Sequence, residues 1–195
     1  MIRSSLLLLL AALPATAATA SFDPVPPDGK ESSGLLIRVV QYEGSVNGGM
    51  TVEVKNPGAK PADFAANGLF FVPAVDADHA PQRLGAVGPF QVTGKGDRAD
   101  KLSIAAGASQ KLTLDVYCID SHRSSPTSAT PFRVSKERMP KQLVQTIDTS
   151  AREAAKDLGG VSATPAKGAV QSQVWKSRNE KWIHLDGEGK QEAGK

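Results

Sequence analysis

Only one of the 195 residues is a cysteine, Cys118. No disulfide can therefore close within the chain, and its stability must come from packing. The sequence also lacks a dominant charge: 23 lysines and arginines face 20 aspartates and glutamates, for a net charge of +3. That near-balance excludes the strong basic field by which a protein gathers nucleic acid or an anionic membrane. Long apolar runs are missing too. The longest is Leu6–Leu13, too short to span a bilayer. Recognisable catalytic motifs are equally scarce. There is no Gly-x-Ser-x-Gly elbow and no phosphate-cradling glycine loop behind a strand. None of the three histidines, His79, His122 and His184, stands at metal-ligand spacing from another histidine or from Cys118.

What is present begins with an address. Arg3, the short apolar run and the small-x-small pattern Ala18-Thr19-Ala20 read as an export signal over residues 1–20, cut after Ala20. Ala15-Thr16-Ala17 offers a second cleavage site. The protein is expected to be secreted or periplasmic, without membrane insertion. Residues 21–34 ("SFDPVPPDGKESSG") carry proline, serine and charge with no apolar period, the pattern of a flexible leader.

From 35 to 135, short strand-like runs alternate with turn signals. Leu35–Glu43 is β-branched and apolar, and Asn47-Gly48 behind it signals a hairpin. Met50–Asn56 alternates, with Val52 and Val54 on one face and Thr51, Glu53 and Lys55 on the other; Asn56-Pro57-Gly58 ends it. Gly68–Val75, "GPFQVTG", "KLSIAAG" and "FRVS" add further pieces. Gln110–Cys118 is the cleanest, placing Leu112, Leu114, Val116 and Cys118 on one face and Lys111, Thr113 and Asp115 on the other. Many short strands at this spacing predict a mainly β protein, an immunoglobulin-like antiparallel β-sandwich of about seven strands.

A helical segment over 136–185 is expected to pack on the sandwich. Leu143, Ile147, Ala151, Ala154 and Leu158 fall on one stripe behind Pro140, and Gly159-Gly160 suits a stop. Thr164-Pro165 starts a second helix carrying Val170, Gln171, Val174 and Trp175. Lys181–Leu185 reads as a final short strand, and residues 186–195 as a disordered tail.

The chemistry narrows to few groups. Asp120, Ser121 and His122 follow Cys118 in one loop, where neighbours seldom face one another as a triad must. A Cys118–His122 nucleophile pair is conceivable, but alternation turns Cys118 to the apolar face, where a thiolate is disfavoured. Asp76, Asp78 and His79 lack the glycine and distal glutamate of a calcium loop and read as a solvated turn. The residues therefore predict a non-enzymatic binding or structural module with no cofactor and no metal. Its partner would be a protein or cell-surface ligand, and Cys118 a small buried hydrophobe.

A second reading comes from two segments, "VYCID" (Val116–Asp120) and "AVQSQVW" (Ala169–Trp175). Aromatic-Cys-apolar followed by apolar-Gln-x-x-apolar-Trp resembles the signature of bacterial surface thioester domains. The resemblance implies an internal thioester between Cys118 and Gln171 that captures amines covalently in adhesion, with Tyr117 and Trp175 as its water-excluding lining.

Overall fold

The computed structural model describes residues 21–29, 31–44, 48–75, 80–157 and 164–181. The expected export signal, the aspartates and histidine of "VDADHA", and the tail lie outside the described residues. The expected last strand lies outside them too, except for Lys181, which ends a helix.

The chain is mainly β, an antiparallel sandwich close to a barrel, followed by two helices. Its strands are β1 (Asp23–Pro24), β2 (Leu36–Tyr42), β3 (Gly49–Lys55), β4 (Ala62–Phe64), β5 (Phe70–Pro73), β6 (Leu84–Ala86), β7 (Phe90–Val92), β8 (Arg98–Ala99), β9 (Leu102–Ile104), β10 (Ser109–Cys118) and β11 (Phe132–Val134). The helices are α1 (Lys141–Asp157) and α2 (Thr164–Lys181). One curling sheet runs β1-β2-β3-β10-β6-β5-β11, with β7 and β8 branching from β10, and β4 pairs β9 as a second, smaller sheet.

Strand β10 is the spine. Its first half pairs β3 in the register Leu112↔Val52 and Gln110↔Val54, so the two apolar faces predicted from alternation coincide. The opposite edge of β10 is taken first by β7 and then by β6, with Cys118 opposite Leu84. The interior is filled by Leu112, Leu114, Val116 and Cys118 of β10 together with Ile37, Met50, Val52, Val54, Phe64, Phe90 and Ile104, all buried. Phe64 and Phe90 meet edge to face, with ring centroids 5.4 Å apart.

The last residues of β10 are buried on both faces. Val116 and Cys118 point into the sandwich, while Tyr117 and Ile119 point out into a second apolar cluster. That cluster is completed by Phe70 and Met139, by Leu143 and Ile147 of α1, and by Val170 and Val174 of α2. The α1 stripe predicted from the sequence is thus the surface that covers the outer face. Of its other members, Ala151 packs at the margin; the side chain of Ala154 and residue 158 lie outside what is described. Gly85 makes the close fit between helices and sheet. A Cβ there would stand 2.5 Å from the Met139 sulfur, so the glycine leaves the room that this side chain occupies.

The segment 21–34, expected to be a flexible leader, differs from expectation at its start. Asp23 and Pro24 pair with Ile37 and Leu36, and Val25 is buried in the main core. Phe22 lies under the Arg38 guanidinium, 4.7 Å from ring centroid to Cζ. The Arg138 guanidinium then collects the carbonyls of Pro26, Pro27, Ala65 and Asn67. Composition concealed this, because prolines that donate no hydrogen bond can still offer carbonyls and apolar rings.

Candidate functional site

The site is built where β10 loses a neighbour. Strand β3 accompanies it from Ser109 to Asp115, and the Val116 amide donates to the Gly48 carbonyl at 2.8 Å. The chain then turns away toward β2. Gly48 makes this exit with a φ of +59°, and a Cβ on it would stand 2.9 Å from the Val116 carbonyl. Two residues on, the N–H and C=O of Cys118 point along the same edge, where no strand among the described residues remains. Unpaired, they would be two backbone groups in a largely buried place.

Gln171 of α2 meets both. The Cys118 N–H donates to its Oε1 at 2.8 Å, and its Nε2 donates to the Cys118 carbonyl. A side-chain carboxamide carries one donor side and one acceptor side, the same pair a strand residue would present. One turn to either side on the same helix face, α2 makes two more polar contacts. Lys167 Nζ lies 3.0 Å from Asp115 Oδ1, a carboxylate that Arg98 also engages. The Trp175 indole N–H donates to Gln82 Oε1 at 3.2 Å.

The Cys118 sulfur lies on the interior side, with the residue only 4 % exposed. Burial pushes its thiol up to about 11, the Asp120 carboxylate adds to the rise, and a backbone hydrogen bond opposes it. Very little thiolate exists at neutral pH, so this cysteine is a weak nucleophile there. Tyr42 is raised in the same way by burial, with Cys118 as a lesser cause. Tyr117 is pushed up to about 12, first by burial and then by Asp115, with Arg98 pulling the other way.

Asp120 belongs to a different assembly. It is 1 % exposed and holds Arg83, itself 8 % exposed. Its Oδ2 accepts from the Arg83 backbone N–H at 3.0 Å and from Nε at 2.8 Å; its Oδ1 accepts from Nη2 at 2.7 Å. This bidentate ion pair ties the end of β10 to the entry of β6.

Of the residues singled out in the sequence, Cys118 and Gln171 are brought together, through the cysteine backbone and the glutamine side chain. Tyr117 and Trp175 are not. Tyr117 sits in the helix-facing cluster, whereas Trp175 packs at the margin of the sandwich interior, on the Cys118 side. They fall in different apolar clusters, since Tyr117 and Cys118, successive residues of a strand, point to opposite faces. His122 is exposed in the loop after β10 while Cys118 is buried, and Asp120 is engaged by Arg83. His79 and His184 lie outside the described residues. Among the described residues, no cluster of three histidine, cysteine or acidic side chains could hold a metal ion, and no helix is long and apolar enough to cross a membrane. Sequence reasoning missed Gln82, Arg83, Asp115 and Lys167. The four-residue spacing of Lys167, Gln171 and Trp175 was the available signal, since such residues share a helix face.

A further concavity of about 660 Å³ lies at the seam of the near-barrel, between β1 with the prolines behind it and β11. Arg133 and Lys136 flank it on one wall, and Asp23 on the other. No protein-family model matches the chain, and neither does any curated protein or solved structure.

Proposed function

We propose that this protein is an exported, non-enzymatic binding or structural module in which Cys118 is an inert core residue and Gln171 fastens the helices to the sandwich. The observation that carries this reading is the two-point grip of the Gln171 carboxamide on the Cys118 backbone. Both polar ends of the amide are used in holding a strand edge, and the sulfur faces the apolar interior with its thiol protonated. Mass spectrometry of freshly prepared protein tests it. An unmodified mass, with a thiol that alkylates slowly until the protein is unfolded, is the expected result. A mass lower by one ammonia would overturn it.

A second reading is favoured by the same contact. The Gln171 carbonyl carbon is tethered to the very residue that carries the sulfur, and the Cys118 N–H points at the oxygen that would bear charge in a tetrahedral adduct. In this adhesion reading, Cys118 Sγ bonds to Gln171 Cδ, the C–N bond breaks, and the thiol proton leaves with the nitrogen as ammonia. The thioester would then capture an amine on a cell-surface ligand. It requires the carboxamide to swing from the strand edge to the strand face. The mass deficit it predicts must disappear in both Cys118→Ala and Gln171→Ala.

A further inference from the structure

The geometry points to α2 as a releasable cover over an open strand edge, held by a row of three polar contacts that substitute for the missing strand. Beyond Val116, whose amide still reaches the Gly48 carbonyl, the described residues offer β10 no strand on the β3 side, and an open edge of that kind invites pairing with another chain. Helix α2 lies along it. Lys167, Gln171 and Trp175, four residues apart, reach Asp115, the Cys118 backbone and Gln82 respectively.

The cover is lightly fastened in apolar terms. Only Val170 and Val174 of its described side chains are fully buried, and Gly168, Ala169, Ser172, Gln173 and Lys176 are exposed. The sandwich beneath holds more than twenty buried side chains in one cluster. An element with few buried apolar groups and much of its attachment in hydrogen bonds opens before the core does. Lifting α2 uncovers the Cys118 N–H and C=O, while the thiol, which points into the sandwich, stays buried. This device operates whether or not the module binds anything, so it stands apart from the reading above.

The test is the hydrogen-exchange rate of the Cys118 amide in the native full chain, followed against urea. Local opening gives a rate with a much weaker urea dependence than global unfolding. Gln171→Ala removes two hydrogen bonds and should raise the rate about ten-fold. Trp175→Phe, which keeps the ring and loses the N–H, and Lys167→Met should each raise it a few-fold, roughly 2–5 times, with the main unfolding transition little changed. Equal urea dependence for exchange and for global unfolding would overturn the proposal. So would Trp175→Phe and Lys167→Met variants whose Cys118 amide exchanges no faster than the parent's.

Discussion

Replacing Asp120 by alanine should be among the most damaging single changes in this protein. The side chain is almost wholly buried, and it accepts three hydrogen bonds from Arg83, two of them from the guanidinium. Its loss leaves a nearly buried guanidinium without its carboxylate, which costs about 3–5 kcal/mol. Domains of this kind are stable by only about 5–15 kcal/mol, so a large share of the total would go. At roughly 2–4 °C per kcal/mol, the midpoint of thermal unfolding should fall by about 6–20 °C. Most of that loss is the isolated charge and not the value of the pair, so removing both charges should be milder. In Arg83→Met/Asp120→Asn, the new amide oxygen can still accept from the Arg83-position backbone N–H, and about half the loss or more should be regained. Urea and thermal unfolding of the parent, the single variant and the double variant provide the assay. A single variant within about 1 kcal/mol of the parent, or a double variant as unstable as the single, would refute the reasoning.

Three further outcomes follow from the same geometry. Gly48→Ala forces a Cβ against the Val116 carbonyl at a left-handed backbone position, and should cost about 1–3 kcal/mol by urea unfolding. Because the folded Cys118 thiol is raised from 9.0 to about 11, the native state holds that proton more tightly than the unfolded chain. The resulting stability is fully present below pH 9 and is lost as pH rises through about 11; Cys118→Ala should flatten that part of the alkaline stability curve, read by urea unfolding from pH 7 to 11. Arg138→Met removes the group that gathers the Pro26 and Pro27 carbonyls, and should speed limited proteolysis around residues 22–29 by about ten-fold or more while the sandwich stays intact.

The parts legible in the sequence were those whose burial is one-sided. Strands β3 and β10 read directly, since Val52, Val54, Leu112 and Leu114 alternate with polar residues over a solvated face. The end of β3 was legible as well. Asn56 before Pro57-Gly58 signals a turn, and its side chain holds Lys60 and Ile104 carbonyls while accepting from the Gly58 amide. Strand β6 was not legible, because Leu84-Gly85-Ala86 has a turn's composition; its glycine exists to admit Met139. The leader strand was hidden by its prolines. At the candidate site, the approach of Cys118 and Gln171 could be suggested from two segments, but not its form. A glutamine that grips backbone leaves no periodic trace, since its partner is a peptide group that every residue possesses. The Arg83–Asp120 pair was invisible for a related reason: 37 residues separate its members, and neither sits in a recognisable pattern.

The fastening of β1 also sets an order of events in synthesis. The carbonyls of Pro26 and Pro27 wait for a guanidinium that lies 112 and 111 residues further along. The N-terminal strand can pair with β2 soon after it emerges from the ribosome, but the clasp on the prolines behind it is therefore among the last pieces to form. A fragment ending before residue 138 would carry all eleven strands and still lack the guanidinium that gathers the carbonyls behind the first one.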